Sequence, residues 1–453
     1  MKGASDQQAE SRKDPSPVVS RRLADGTIVE LVYEPEELRT ALAVWRAGEW
    51  NIEQAVDAGA GERLVPFSPN NNLIKNEIVL LPARPEEYGD ERALLSEIEE
   101  FIHRYVDVRP VFERIASHYV LLTWLYDAFN EMPYLRLRGD WGSGKTRALM
   151  TIGSLCYKAF FASGASTISP IFHILNAFGG TLVFDEADFR FSDEKAEIVK
   201  ILNNGNVRGV PVLRTMINRQ REFNPQAFQV FGPKIVASRR SYDDQGLESR
   251  FITEEMGGRG LRPDVPINLP PGFREEARRL RNKLLLYRFR RLAEAILDQH
   301  LVDPALEPRL NQILLPLLSV VRDPELRDTL RAAARDGQSA LVAERGFSTE
   351  AQVLEVLAEL MGKANGPGVS VGAVARAMIE RHGAEYERPI SNRWIGSILR
   401  KRLNLRAYKT HGVYVVPLTE RPGIEHLCAR YGVELAGSPV PTGEVGTLKT
   451  LQA

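Results

Sequence analysis

The sequence predicts an α/β fold. A parallel sheet with flanking helices forms its centre, a small α/β module precedes it, and a helical segment and a smaller three-helix domain with a β-hairpin follow. Three observations carry the prediction. A β-type run, Tyr134–Arg138, enters a glycine loop, and a helix leaves that loop after Lys145. About 40 residues on, Gly179-Gly180-Thr181-Leu182-Val183-Phe184-Asp185-Glu186 reads as a short apolar strand ending in two carboxylates. Lys234–Ser238 (KIVAS) is a further short apolar run with a polar end, as a strand buried on both faces requires.

Bulk composition narrows the function classes. The chain has 453 residues, room for two to four domains. Hydrophobic residues make up 43% and charged residues 26%, both ordinary for globular protein. Lysine plus arginine equals aspartate plus glutamate at 59 each, so any nucleic-acid surface is a local patch. The two cysteines, Cys156 and Cys428, have no partner at metal-ligand spacing. This argues against zinc sites and disulfide frameworks and suits a reducing, cytoplasmic setting. No run approaches the length of a membrane span, and no membrane association is expected.

Taken in order, residues 1–20 read as a polar, disordered tail. Residues 21–90 read as the N-terminal α/β module: a hairpin over 21–33 turning at Asp25-Gly26, a helix over 35–59 and a strand over 78–81. A partner contact, an oligomer contact and a purely structural role are equally open there. Residues 84–90 form a Pro/Gly/acidic linker, and two amphipathic helices follow at 91–107 and 111–129.

The loop Gly139-Asp140-Trp141-Gly142-Ser143-Gly144-Lys145-Thr146 fits G-x-x-x-x-G-K-[ST] at every fixed position. Glycines let backbone N–H groups turn inward around a phosphate, and the helix N-terminus adds its positive dipole end. Lys145 is positioned to reach β- and γ-phosphates, and the Thr146 hydroxyl to hold Mg²⁺. Arg147 follows directly and counts among the nucleotide contacts. Asp185 is the second expected Mg²⁺ residue and Glu186 the one that polarises water. Ser238, at the end of KIVAS, is a candidate contact for the γ-phosphate or that water. The expected cofactors are ATP and Mg²⁺.

Between the second and third strands, a helix over 193–202 precedes two β-type runs, 207–216 and 227–231, around a polar tip over 217–225. Arg214, Arg219 and Arg221 lie on or near this hairpin, where a phosphate backbone and plain solvent are both reasonable neighbours. Arg250 stands in Ser249-Arg250-Phe251, just before a strand over 251–254.

With these parts in order, the core resembles the AAA+ ATPases, and within them the branch of minichromosome-maintenance and plasmid or phage replicative helicases. The residues that carry the resemblance are GDWGSGKT, LVFDE, the hairpin inserted before KIVAS, and SRF at 249–251. It implies an AAA+ core over 91–271 and a helical lid over 272–345. It also implies that Arg250 acts as a finger reaching a neighbouring subunit's ATP, hence a homo-oligomeric ring. An intrachain salt bridge to Glu248 or Glu254 is the competing reading of Arg250. A lid arginine that senses nucleotide is also implied, with Arg309 first and Arg281 behind it; a basic amphipathic helix face explains both equally well.

Residues 346–435 read as helices at 349–361, 371–382 and 391–403 followed by a hairpin over 406–416, which resembles a winged helix-turn-helix. From Arg388 to Val416 there are seven basic residues and no acid: Arg388, Arg393, Arg400, Lys401, Arg402, Arg406 and Lys409. In a charge-balanced chain this excess points to nucleic acid, although winged helices also bind proteins. Trp394 reads as core. Residues 436–453 read as a disordered tail. The expected activity is ATP hydrolysis by a DNA motor, with single-stranded DNA in a ring pore and duplex at the winged helix. A site-binding regulator and a protein-remodelling machine are the alternatives.

Overall fold

The computed structural model describes residues 15–185, 193–217, 223–242, 244–258, 260–346, 348–364, 366–386, 389–410 and 412–433. Glu186, Arg219, Arg221 and Arg388 lie outside them. The chain forms two compact units, 1–334 and 335–453. Among the described residues no helix is long and apolar enough to cross a membrane.

The first unit begins with strands. β1 (Ser16–Val18) pairs in parallel with β7 (Arg63–Pro66), which also pairs with β6 (Val56–Asp57). β2 (Ser20–Arg22), β3 (Ile28–Glu34), β4 (Arg39–Arg46) and β5 (Glu49–Glu53) form an antiparallel meander. β1 therefore lies inside the stretch read as a tail. The hairpin turning at Asp25-Gly26 is present, with Gly26 at φ +87°.

The helix expected over 35–59 is absent; β4, β5 and β6 stand there instead. The physical reason is burial of β4 on both faces. Ala41 and Ala43 enter one apolar cluster while Leu42 and Val44 enter another. Alternation is thereby masked, and Ala-rich sequence reads as helix. The β4–β5 turn is Ala47-Gly48, both at positive φ (+53° and +90°), a two-residue hairpin loop without the usual Asn or Asp signal. A short α1 (Asn72–Lys75) follows. The strand expected over 78–81 reduces to one bridge, Val79 to Phe160.

α2 (Glu91–Tyr105) starts on Asp90, whose carboxylate accepts from Ala93 N at 2.8 Å. α3 (Pro110–Trp124) opens on a proline and is buried almost all round. The core then alternates: β8 (Tyr134–Arg138), α4 (Lys145–Gly153), β9 (Phe160–Ser163), α5 (Ile168–Phe178), β10 (Leu182–Asp185), α6 (Asp193–Asn204), the hairpin β11 (Val212–Ile217)–β12 (Phe223–Phe228), β13 (Lys234–Ser238), α7 (Gln245–Glu248) and β14 (Phe251–Glu255). Five of these strands form one parallel sheet in the order β14-β8-β13-β10-β9. β8 thus has β13 on one side and β14 on the other, so the loop leaving β8 lies where the sheet order reverses, the usual ligand position in such sheets. β11 and β12 form a separate two-stranded ribbon.

α8 (Phe273–Arg291), α9 (Pro308–Val320) and α10 (Pro324–Gly346) follow. α8 is not peripheral: it belongs to the apolar cluster shared with α2, α3 and the meander. Glu30 of β3 lies 1% exposed between Lys158 (Nζ at 3.0 Å) and Arg288 of α8 (Nε at 2.8 Å). Ser20 and Tyr157 hydroxyls donate to the same carboxylate at 2.6 and 2.8 Å, and Arg288 forks onto Asp127 at 2.6 Å twice. This buried cluster ties the N-terminal strands to the core.

In the second unit, α11 (Thr349–Gly362), α12 (Val371–His382), α13 (Asn392–Ser397) and α14 (Arg421–Tyr431) surround an apolar cluster that includes Leu354, Leu357, Met378, Ile395 and Leu399. β15 (Gly368–Ser370), β16 (Tyr408–Thr410) and β17 (Val413–Pro417) form an antiparallel sheet in the order β15-β17-β16. Ser391 caps α13, accepting from Trp394 N at 3.2 Å. Trp394 is partly buried and edges onto Tyr386 at 5.3 Å.

Candidate nucleotide site and nucleic-acid surfaces

The glycine loop is shaped by backbone demands. Gly142 and Gly144 hold φ of +69° and +86°. A Cβ on Gly139 would lie 2.5 Å from the Met256 carbonyl, because the end of β14 passes directly over the start of the loop. Gly139 N donates to Ser238 O at 3.2 Å, holding the loop to the end of β13. The Lys145 ammonium turns back inside the loop and donates to the Gly139 and Asp140 carbonyls at 2.7 and 2.6 Å, and to Ser143 Oγ at 3.2 Å. Its charge therefore sits among the backbone groups of the loop.

Thr146 and Asp185, 39 positions apart, meet here: Thr146 Oγ1 donates to Asp185 Oδ2 at 2.7 Å. Parallel pairing carries β10 to the same edge as the loop. Ser238 is 1% exposed, and among the described residues its Oγ has no hydrogen-bond partner. A buried orphan hydroxyl at this edge is costly, and such groups mark functional positions.

A cavity of about 690 Å³ opens beside the loop, bounded by Val106, Val108, Arg109, Trp141, Met256 and Ile267. That volume suits a nucleotide-sized ligand. Arg147 faces this cavity but not the loop: it donates to the Pro266 and Ile267 carbonyls at 2.9 and 2.5 Å, so it anchors the segment 260–267 along the cavity wall. Arg262 pins the same segment, its N donating to Asp107 Oδ2 at 2.9 Å. Arg109 forks onto the buried Glu254 at 2.8 and 2.6 Å. Trp141 is 72% exposed with the Arg239 guanidinium 3.5 Å from its ring centroid. The segment 257–267 escaped the sequence reading; its only local signal is the glycine cluster at 257, 258 and 260.

Arg250 is not brought to this edge. It precedes β14, whose first residue pairs with Tyr134 at the start of β8. Five strand residues separate it from the loop edge, roughly 16 Å at about 3.3 Å per residue. Its guanidinium donates to Leu202 O at 3.1 Å and to the Asn203 side chain, and its Nε is buried without a partner among the described residues. Burial, with Arg309 nearby, pushes its pKa below the usual arginine value. Neither competing carboxylate takes it: Glu248 forks with Arg136 at 2.6 Å, and Glu254 holds Arg109.

Arg309, expected at the nucleotide, also lies at this far edge. It donates to Gly246 O at 2.6 Å and shares with Arg250, Asn203 and Gln312 a second cavity of about 670 Å³. The reason is tertiary: α9 starts beside α7, not beside the glycine loop. Arg281 is removed further, because it is buried in α8 and donates to Ser154 O at 2.8 Å; burial lowers its pKa to about 10.

Of the hairpin arginines, Arg214 is half-buried. It pairs with Glu197 of α6 and lies 4.1 Å from the Phe172 ring centroid, so its charge is turned to the protein. In the second unit Arg393, Arg400, Lys401, Arg402, Arg406 and Lys409 are all exposed. Arg402 pairs with Glu350 at 2.7 Å, and Arg400 lies 5.0 Å from the Tyr414 ring centroid.

No protein-family model and no curated protein sequence matches the chain. Solved structures do show likeness. The apo C-terminal region of NrS-1 is 11% identical over 86% of this chain and 96% of its own, with a TM-score of 0.35. The active helicase Cch of SCCmec type IV is 12% identical over 90% and 80%, at 0.37. A full-length MCM homologue from Methanopyrus kandleri is 13% identical over 68% and 75%, at 0.34. At these TM-scores the likeness carries no argument about activity, which rests on the geometry above.

Proposed function

We propose that the chain is an ATP-hydrolysing AAA+ motor that assembles as a homo-oligomeric ring and acts on DNA, of the type that replicates a mobile element. The observation that carries the reading is the 2.7 Å contact of Thr146 with Asp185 beside the lysine-filled glycine loop. Two oxygen donors that converge there form the hard, oxygen-only set that suits Mg²⁺. When bound, Mg²⁺ supplies charge neutralisation at the phosphate oxygens.

The chain's own groups do the rest. The Gly139–Gly144 backbone holds the phosphates. Lys145 exchanges its two carbonyl partners for β- and γ-oxygens. The orphan Ser238 hydroxyl supplies a hydrogen bond at the γ-phosphate or the attacking water, and Glu186 orients that water. Arg250 serves the adjacent subunit, because its own loop is out of reach. Arg309, beside it, serves that same neighbouring site. Arg219 and Arg221 contact the strand in the ring pore. In the second unit, α11–α13 and the β15-β17-β16 sheet act as a winged helix-turn-helix whose exposed Arg393, Lys401, Arg406 and Lys409 hold duplex phosphates.

The test is ATP hydrolysis with and without single-stranded and duplex DNA, with Glu186→Gln as control. Stimulation by single strands that vanishes in the control supports the motor. Hydrolysis indifferent to DNA sinks it. That outcome turns attention to a protein-remodelling machine, a reading favoured by Leu213, which is 69% exposed on the hairpin.

A further inference from the structure

Two arginines with unrelated sequence contexts act on one helix. At the C-terminal end of α6, Leu202 O accepts from Arg250 at 3.1 Å and from Tyr134 Oη at 3.0 Å, and Asn203 accepts from Arg250 as well. Just beyond, Gly205 O accepts from the buried Lys234 side-chain nitrogen at 3.2 Å. These donors satisfy carbonyls that every helix end leaves open, and the Arg250 guanidinium suits its negative dipole end. Along the side of the same helix, Glu197 pairs with Arg214 of β11 and accepts from Lys200 at 2.6 Å. Both nearby cations hold the Glu197 carboxyl below the usual range, so it is ionised near neutral pH.

We infer that α6 couples the neighbouring subunit's nucleotide site to the β11–β12 hairpin, with Glu197 as the positioning residue that carries its movement into β11 through Arg214. The inference rests on the motor reading above. While Arg250 is folded inward, it fixes the end of α6. When its guanidinium transfers to an anion on the next subunit, Leu202 O keeps Tyr134 Oη but loses its charged donor, Asn203 loses that donor too, and the end of α6 is held less tightly. A two-stranded ribbon outside the main sheet has little rigidity of its own, so its position follows what grips its strands. Val212 of β11 is buried in the core, and further along the strand the grip is a charge-assisted contact: the Glu197 and Arg214 side chains are 26% and 30% exposed, and Phe172 backs the guanidinium.

The experiment uses the full chain, with Glu197→Gln, which removes the charge, and Glu197→Asp, which keeps it. Basal ATP hydrolysis, single-strand affinity, thermal midpoint and the fold-stimulation of hydrolysis by single-stranded DNA are measured on each. Glu197→Gln is expected to keep basal hydrolysis, affinity and midpoint while stimulation falls at least about fivefold, the low end of ordinary coupling between sites. Glu197→Asp is expected to recover most of that loss. Wild-type stimulation in Glu197→Gln overturns the coupling role and leaves the motor reading intact. Equal loss in both variants with a lowered midpoint also overturns it, by making Glu197 merely structural. A wild-type chain that DNA does not stimulate removes the motor reading and the coupling together.

Discussion

Replacing Glu30 by Gln probes the buried charge cluster that joins the N-terminal strands to the core. Glu30, Lys158 and Arg288 are each 1% exposed, and the carboxylate receives two cations and two hydroxyls. Gln keeps the volume but not the charge. Lys158 is left with the Val19 carbonyl at 3.2 Å, while Arg288 retains Asp127. Breaking a buried pair by removing one partner costs about 3–5 kcal/mol. Unfolding entropy of about 2.1 cal/mol/K per residue over the 334 residues of the first unit sums to roughly 0.7 kcal/mol/K. The melting midpoint should therefore fall by about 4–7 °C.

The loss should also depend on pH. Burial alone raises the Glu30 carboxyl, but Lys158 and Arg288 overcome it and hold the group below its usual value of 4.5. A lowered folded pKa stabilises above the unfolded value and loses that contribution as pH falls through the folded one. The gap between wild type and Glu30→Gln should thus be full at pH 7 and narrow below about pH 4.5, as differential scanning calorimetry can follow. An unchanged midpoint at pH 7, or a gap equally wide at pH 7 and pH 3.5, refutes the reasoning.

Arg250→Ala should lower hydrolysis by about 10³-fold or more while ATP binding persists. Mixing it with Lys145→Ala subunits should restore part of the rate, since some interfaces then hold an intact loop and an intact finger; no recovery on mixing counts against action between subunits. Asp185→Asn should cut Mg²⁺-dependent turnover at least about 100-fold with the fold intact by circular dichroism, the scale of one lost electrostatic group. Lys401→Ala with Lys409→Ala should weaken duplex binding and flatten the slope of log affinity against log salt by about 1.8, near 0.9 per phosphate contact. A slope that does not change removes both residues from the interface.

Local sequence determined the glycine loop and the carboxylate strand most fully. The spacing Gly139–Thr146 requires a tight glycine turn between strand and helix, and Leu182–Asp185 requires a buried strand with a polar end. Both requirements are met within a few residues, so no distant contact was needed to read them. Lys234–Ser238 and α5 followed for the same reason. The β4 region was misread because burial on two faces erases the period of two, and Ala47-Gly48 hides a turn that Asn-Gly would have announced. Ser391 was legible as a cap, because capping is local; Trp394, read as core, is only partly buried against the cluster. The fate of the individual arginines was not legible.

An arginine's long side chain and five donors fit a phosphate, a carboxylate or a helix end equally well, and only the surrounding fold chooses among them. Tertiary structure assigned Arg214 to Glu197, Arg281 to Ser154, Arg288 to Glu30 and Asp127, and Arg147 to the wall of the cavity. It also set Arg250 and Arg309 together at the edge of the sheet opposite the glycine loop. The sequence by itself determined the loop, the carboxylate strand and the buried run at Lys234–Ser238, because glycine geometry and strand burial are short-range constraints. Which charge meets which, across 17 to 258 positions of chain, only the packed structure decided.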